Sequence, residues 1–339
     1  MVQHPKPRNV TRADVARLSG VSTAVVSYVL NNGPKPVAPA TRERVLEAVR
    51  ALGYRPNAAA RALSRGTADT IGMIVVDSRS PFFAQFLHAL DAASVRHDRS
   101  MLIVNRDRER QSAVEQVHDL VARQIGGLII ADVIGDAEQQ VIAALGIPTL
   151  LINQYGGAGG ALGAMGVDFR AGAEQAVQHL VAHGYRTIDF VGDAAAIDQR
   201  ERGWADALRE AGLPLGRSVH ASFSYEGGFA AGRAIASRAT RPRALFAASD
   251  QIAIGLLAAL TDAELRVPDD IAVVSFDGIV EAAYARPALT TVAQPIVEMA
   301  DAAIRRLVAD DAEPGFTTFD ATLVVRRSCG CDDGLVGGH

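Results

Sequence analysis

The chain has 339 residues, and at roughly 150 residues per domain that length implies two or three domains. Apolar residues make up 49% and charged residues 21%, which excludes a wholly disordered chain, and no run of about 18 apolar residues is present to cross a membrane. The net charge of −4 divides unevenly: residues 1–66 carry +8 and the remainder −12, so a basic module suited to a polyanion precedes an acidic body.

Residues 1–10 are basic but have no apolar stretch behind them, which argues against a secretory signal. Thr11-x-x-Asp14 has the form of a capping box ahead of a helical run at 12–18. Gly20 permits a sharp turn. Ser22 caps a second run, 23–30, whose apolar side includes Val25, Val26, Val29 and Leu30. Asn31-Asn32-Gly33-Pro34 ends it. Two short helices around a tight glycine turn predict a helix-turn-helix, in which the second helix enters the major groove of DNA. A third helix follows, with Pro39 in its first turn, Val45, Leu46, Val49 and Leu52 as its inner stripe, and Gly53 just past its end. Residues 54–64 read as one more short helix with Pro56 at its start, too short to hold alone in water.

The stretch 11–66, with ADVARLSGVSTAVVSYVLN and GYRPNAAARALSRG, resembles the lac-repressor (LacI/GalR) family of bacterial transcription regulators, and the resemblance runs nearly to the tail. It implies that Thr23, Ala24 and Tyr28 face base edges. It implies phosphate contacts for Thr11, Ser22, Ser27, Asn31, Thr41 and Arg42, and a minor-groove hinge helix carrying Asn57, Ala60 and Leu63. Hydroxyls and amides on phosphates fix register, whereas an apolar wedge such as Leu63 unstacks a base step and kinks the duplex. Three positions depart from the family pattern. Tyr28 stands where most members have Arg, Val25 replaces a usual Thr, and Ala38 replaces a capping Ser or Thr. Tyr cannot read guanine bidentately as Arg does, so the resemblance implies the docking mode but not the operator sequence.

From Ile71 onward short apolar runs at 71–76, 101–104, 127–131, 149–152, 166–167, 188–191, 221–223, 244–247 and 271–276 read as strands. Amphipathic runs at 82–95, 112–123, 171–182, 200–211, 229–238 and 251–260 read as helices between them. Parallel sheets covered on both faces follow from that alternation. The length suits two doubly wound lobes with a ligand at the carboxyl ends of the strands. The expected fold class is therefore α plus α/β: a helix-turn-helix headpiece (1–54), a hinge helix and linker (55–69), a two-lobed effector-binding and dimerisation body (70–330) and a tail (331–339). The resemblance implies a periplasmic-binding-protein-like body, with lobe 1 at 70–161 plus 294–320 and lobe 2 at 162–292 plus 321–330. Crossings are expected near 157–163, 292–294 and 318–322.

Strand ends carry Asp77, Asn153, Asp168, Asp193, Ser249-Asp250 and Asp277, which suits a polyhydroxylated or nucleoside-like ligand, although Asp and Asn also favour helix N-caps. The resemblance selects Phe82, Asn153, Arg200, Phe223, Ser249, Asp277 and Gln294 as effector contacts. Trp204, one helical turn beyond Arg200, is expected to report on the cleft.

Other motifs are weak. Gly156-Gly157-Ala158-Gly159-Gly160 has Leu162 where a dinucleotide loop needs its third glycine. His179 and His183 are spaced i,i+4 without the HExxH carboxylate, and Cys329 and Cys331 read as thiols in a loose tail, so neither pair is expected to hold a metal. No catalytic motif or cofactor is implied. Three function classes remain: an effector-responsive regulator, by family analogy a repressor; a soluble sugar-binding transport component; and a Rossmann-like enzyme. The first alone uses the basic module, hinge and body together. Its partners are double-stranded operator DNA, a sugar, polyol or nucleoside effector, and a second copy in a homodimer or tetramer, with no membrane and a cytoplasmic location.

Overall fold

The first three helices start and stop at the residues that cap them. The computed structural model describes residues 10–31, 35–54, 69–107, 110–152, 160–193, 199–309 and 314–331. In it α1 spans Arg12–Ser19, α2 Thr23–Asn31 and α3 Pro39–Leu52. The Thr11 amide donates to Asp14 Oδ2 at 2.9 Å and the Asp14 amide to Thr11 Oγ1 at 3.4 Å, which closes the capping box. Gly20 ends α1 at φ 67°, a left-handed backbone that a β-carbon would strain. Ala38 gives α3 no side-chain hydrogen bond, and Pro39 opens the helix. Val15, Ala16, Val26, Val29, Val45, Ala48 and Tyr54 form the small core of this unit, which is separate from the one beginning at Thr70. The expected hinge helix, with Asn57, Ala60 and Leu63, lies outside the described residues, as does Asn153.

The second unit opens with β1 (Thr70–Val75), α4 (Pro81–Arg96), β2 (Ser100–Asn105), α5 (Ala113–Val121), β3 (Gly127–Ala131), α6 (Asp136–Ala143), β4 (Thr149–Ile152) and β5 (Gly163–Val167). It continues through α7 (Phe169–Ala182), β6 (Ile188–Gly192), α8 (Gln199–Glu210), β7 (Ser218–His220), α9 (Tyr225–Ala236), β8 (Ala244–Ala247), α10 (Asp250–Asp262), β9 (Ala272–Asp277), α11 (Val280–Tyr284) and β10 (Thr290–Ala293). It ends with α12 (Ile296–Val308), β11 (Gly315–Phe319) and β12 (Thr322–Val324). Two six-stranded sheets result, ordered β11-β5-β4-β3-β1-β2 and β12-β10-β9-β8-β6-β7. Every strand pair is parallel except β10–β12. The central strands β3, β4, β6 and β8 are buried along their whole length, as sheets covered on both faces require. The same doubly wound order occurs in each lobe. Each sheet therefore has a switch point, between β1 and β3 and between β6 and β8, where a crevice opens at the strands' carboxyl ends.

The chain passes between the lobes at Asp168, at Gln294-Pro295 and at Asp320-Ala321. The first passage lies later than the 157–163 read from the sequence, and lobe 1 does not end at 161. β5 pairs with β4 and β11 and so belongs to the first sheet. β7 lies at 218–220 rather than at 221–223. It is a largely exposed edge strand with no apolar run to mark it, and Ala221 and Phe223 fall in the loop beyond. Cys329 is fully buried in the main core rather than in a loose tail.

Candidate functional site

In the first unit the polar side of α2 is turned outward. Ser22, Thr23 and Ala24 are exposed and Ser27 and Tyr28 half-buried, while Val26 and Val29 face the core. Ser22 Oγ accepts from the Val25 amide at 3.3 Å, so this hydroxyl caps the helix whose first turn would meet DNA. The Thr11 hydroxyl donates to Asp14 Oδ2 at 2.7 Å and is likewise engaged locally. Thr41 is half-buried and Arg42 exposed, both in the first turn of α3. Asn31 is the last residue of α2, and its side chain lies outside the described residues.

In the second lobe the predicted effector residues gather at the carboxyl ends of β8, β9 and β10 and on α8. Arg200, buried to 6% exposure, donates from its guanidinium to the Ala248 carbonyl at 2.9 Å. Its guanidinium carbon lies 5.0 Å from the Phe169 ring centre, 4.9 Å from Phe223 and 5.7 Å from Phe276. Three rings thus orient this cation through their negative faces. Phe169 and Phe276 were not singled out from the sequence; each directly follows or precedes a strand-end aspartate, which was the available signal. Phe223 is 41% exposed, so one face of the arginine's aromatic enclosure meets solvent.

Asp277 ends β9 at φ 116°, a left-handed conformation rare for a side-chain-bearing residue. Its Oδ1 accepts from Gln294 Nε2 at 3.0 Å, and its carbonyl accepts from the Gln294 amide at 3.1 Å. Gln294 is 7% exposed, and its Oε1 is buried without a hydrogen-bond partner among the described residues. A buried acceptor of this kind costs about 1–3 kcal/mol until a donor arrives. Ser249 is buried too, but its Oγ caps α10 by accepting from the Ile252 amide at 3.2 Å.

Beneath this group lies Asp250, fully buried at the start of α10. Its carboxylate accepts from the Ser275 hydroxyl, from Thr291 Oγ1 at 2.6 Å and from the Ile279 amide at 2.7 Å. One side chain therefore ties α10 to β9 and β10, the elements that present Ser249, Asp277 and Gln294. Burial, working against these hydrogen bonds, raises its pKa from 3.8 to about 6.

Phe82, from lobe 1, is 6% exposed and stacks on Phe86 with ring centres 6.2 Å apart, so it belongs to the core as much as to the cleft. Two hydrogen bonds cross between lobes nearby: Ser80 Oγ to Gln251 Oε1 at 3.2 Å and Gln85 Nε2 to Glu281 Oε2 at 3.4 Å. A cavity of about 190 Å³ at the first passage is lined by Phe169, Gln199, Phe316 and Thr318 among others. Trp204 does not face the cleft. It is 2% exposed, donates from Nε1 to the Ile188 carbonyl at 3.1 Å and packs on Phe190 with ring centres 5.8 Å apart. One turn of helix carries it from the cleft edge into the lobe's core. Far from the cleft, at the other end of α7, one His/Cys group with metal-ligand spacing is found among the described residues: His179, His183, Cys329 and Cys331.

Residues 11–57 match the family described as bacterial regulatory proteins, lacI family, and residues 177–329 match a periplasmic binding protein-like domain. The chain is 33% identical to the HTH-type transcriptional regulator GalR of Escherichia coli K12, over 94% of this chain and 95% of the relative. It is 31% identical to the ribose operon repressor of the same organism, over 90% and 94%. A crystal structure of the lac repressor dimer bound to operator and an anti-inducer superposes with a TM-score of 0.84 at 27% identity, covering 95% of this chain and 99% of that one. No helix among the described residues is long and apolar enough to cross a membrane. With helix-turn-helix, two-lobed body and full-length relatives in agreement, this chain belongs to the lacI family of bacterial regulatory proteins and is a DNA-binding transcription regulator rather than an enzyme.

Proposed function

We propose that the protein is a cytoplasmic repressor that binds a palindromic operator as a homodimer and answers to a small hydroxyl-rich effector held between its lobes. The observation that carries the effector reading is the strained Asp277 beside Gln294, whose buried Oε1 lacks a donor among the described residues. A sugar, polyol or nucleoside hydroxyl supplies that donor, and a further ligand oxygen suits the Arg200 guanidinium, already oriented by three rings in the same lobe. Similar proteins support the class: one is named for the ribose operon, and a solved neighbour is a regulator in complex with cellobiose. A sugar-transport component would have no use for the outward polar face of α2.

On DNA, Thr23, Ala24 and Tyr28 read base edges. Thr11, Ser22, Ser27, Asn31, Thr41 and Arg42 touch or orient phosphates, and Asn57, Ala60 and Leu63 enter the minor groove. Effector binding alters the two inter-lobe hydrogen bonds at Ser80 and Gln85, shifts one lobe against the other and changes the spacing of the paired hinges. By linkage, operator binding changes effector affinity by the same factor. Genomic-fragment selection with the purified protein, followed by calorimetry against a panel of sugars, polyols and nucleosides, tests this. A protein that selects no palindromic site, or whose operator affinity no bound ligand alters, is not such a repressor.

A further inference from the structure

We propose that His179, His183, Cys329 and Cys331 form a structural zinc site that clamps the C-terminal segment to α7. The four ligand atoms lie within 4.8 Å of one another. His179 Nε2 is 3.2 Å from Cys329 Sγ and 3.8 Å from Cys331 Sγ, and His183 Nε2 is 3.0 Å from Cys331 Sγ. A tetrahedral ion with bonds of about 2.0–2.3 Å to nitrogen and sulfur sets such separations at roughly 3.3–3.8 Å, so these three contacts are within tenths of an ångström of that range, and the widest separation in the group, up to 4.8 Å, closes by about 1 Å through side-chain rotation.

The donor set explains why the ion is zinc-like. Two thiolates and two neutral imidazoles cancel the charge of a divalent ion, which suits a place where Cys329 is fully buried and no carboxylate of the described residues joins the group. Binding releases two thiol protons to solvent and forms two Zn–S and two Zn–N bonds. Soft and borderline ligands in this count disfavour magnesium and calcium. Both cysteines of the chain are used.

The fold brings the pairs together by separate means. His179 and His183 are one turn apart at the C-terminal end of α7, with rings 4.7 Å apart and nearly perpendicular. Cys329 and Cys331 flank Gly330, whose φ of 101° lets the chain turn both sulfurs to one side. A β-carbon there would also stand 3.2 Å from the Tyr185 hydroxyl, which donates to the Cys329 carbonyl. Thr290 Oγ1, 3.1 Å from Cys329 Sγ, is placed to donate to a thiolate as an outer partner. The preceding segment is already fixed: Ser328 Oγ donates to the Val273 carbonyl at 2.6 Å and accepts from the Thr290 amide at 2.8 Å.

The test uses the full-length chain, stripped with a chelator under reducing conditions and titrated with Co²⁺ and then Zn²⁺. One equivalent of Co²⁺ should give the strong visible bands of a tetrahedral ion with thiolate charge transfer, and Zn²⁺ should displace it. The thermal midpoint should rise with Zn²⁺. The exposed or half-exposed ligands serve for variants that leave the core intact. His183→Ala and Cys331→Ser should each lose more than the roughly 10–100-fold in affinity typical of an outer partner, together with the zinc-dependent thermal shift. Absence of a tetrahedral cobalt spectrum in the wild-type chain, or an unchanged spectrum and shift in both variants, overturns the site. Neither readout depends on operator or effector binding.

Discussion

Arg200, on α8, and Asp277, at the end of β9, stand where the lobe's core meets the cleft, and that makes them informative to replace. Removing the guanidinium takes away a charge-assisted hydrogen bond, worth about 1.5–3 kcal/mol, from any ligand oxygen it meets. Arg200→Ala and Asp277→Ala should therefore weaken effector binding by roughly 10–100-fold by calorimetry, while operator binding in the absence of effector persists. Full effector affinity in both variants would remove them from the site. Tryptophan emission is a poor readout here, because Trp204 sits in the lobe's core. Asp250 gives a pH signature instead. Its acid is raised from 3.8 to about 6, so between those values the folded state holds a proton that the unfolded state has released. That contribution to stability is complete below pH 3.8 and is lost as pH rises through about 6. In urea unfolding, the stability difference between wild type and Asp250→Asn should drift by about 2–3 kcal/mol between pH 4 and pH 7, in favour of the variant at high pH. A difference independent of pH would show that this carboxyl titrates normally in the fold.

Helices with clear punctuation were legible before the structure. Thr11, Asp14, Gly20 and Gly53 mark ends that the backbone confirms, because capping is a local interaction between residues three or four apart. Elements defined by distant neighbours were not legible. β10, β11 and β12 are short, and β11 is mostly exposed with threonines; they exist because a sheet edge is there to receive them. α12 was missed although amphipathic, as were α6 and α11. The aromatic enclosure of Arg200 and the convergence of His179 with Cys329 also depend on long-range packing. No spacing rule relates residues 150 positions apart. Leu63 tests the hinge as an element. Leu63→Ala should leave the thermal midpoint of the body unchanged, lower operator affinity by at least ~1 kcal/mol and reduce DNA bending, since an apolar wedge is what holds a kinked step open. Equal affinity and equal bending would leave the segment a plain linker.

At the scale of the whole chain, charge separation governs the encounter with DNA. A headpiece region of +8 joined to a body of −12 confines attraction to one end, and operator affinity should fall steeply as salt rises because neutralised phosphates release counterions. Binding as a monomer, or binding indifferent to salt between low and physiological concentrations, contradicts a dimeric reader of a palindrome. The third passage, at Asp320-Ala321, bears on how the molecule is made. Synthesis proceeds from the N-terminus, and domains fold as they emerge. The headpiece is complete once Tyr54 has left the ribosome, whereas β11 and β12, the last strand of each sheet, come from the final stretch of chain. A transcript cut short before residue 315 would therefore deliver a finished DNA reader attached to two sheets with open edges. Such fragments would be prone to edge-to-edge aggregation, so a soundly closed pair of sheets depends on the stretch of chain from β11 onward.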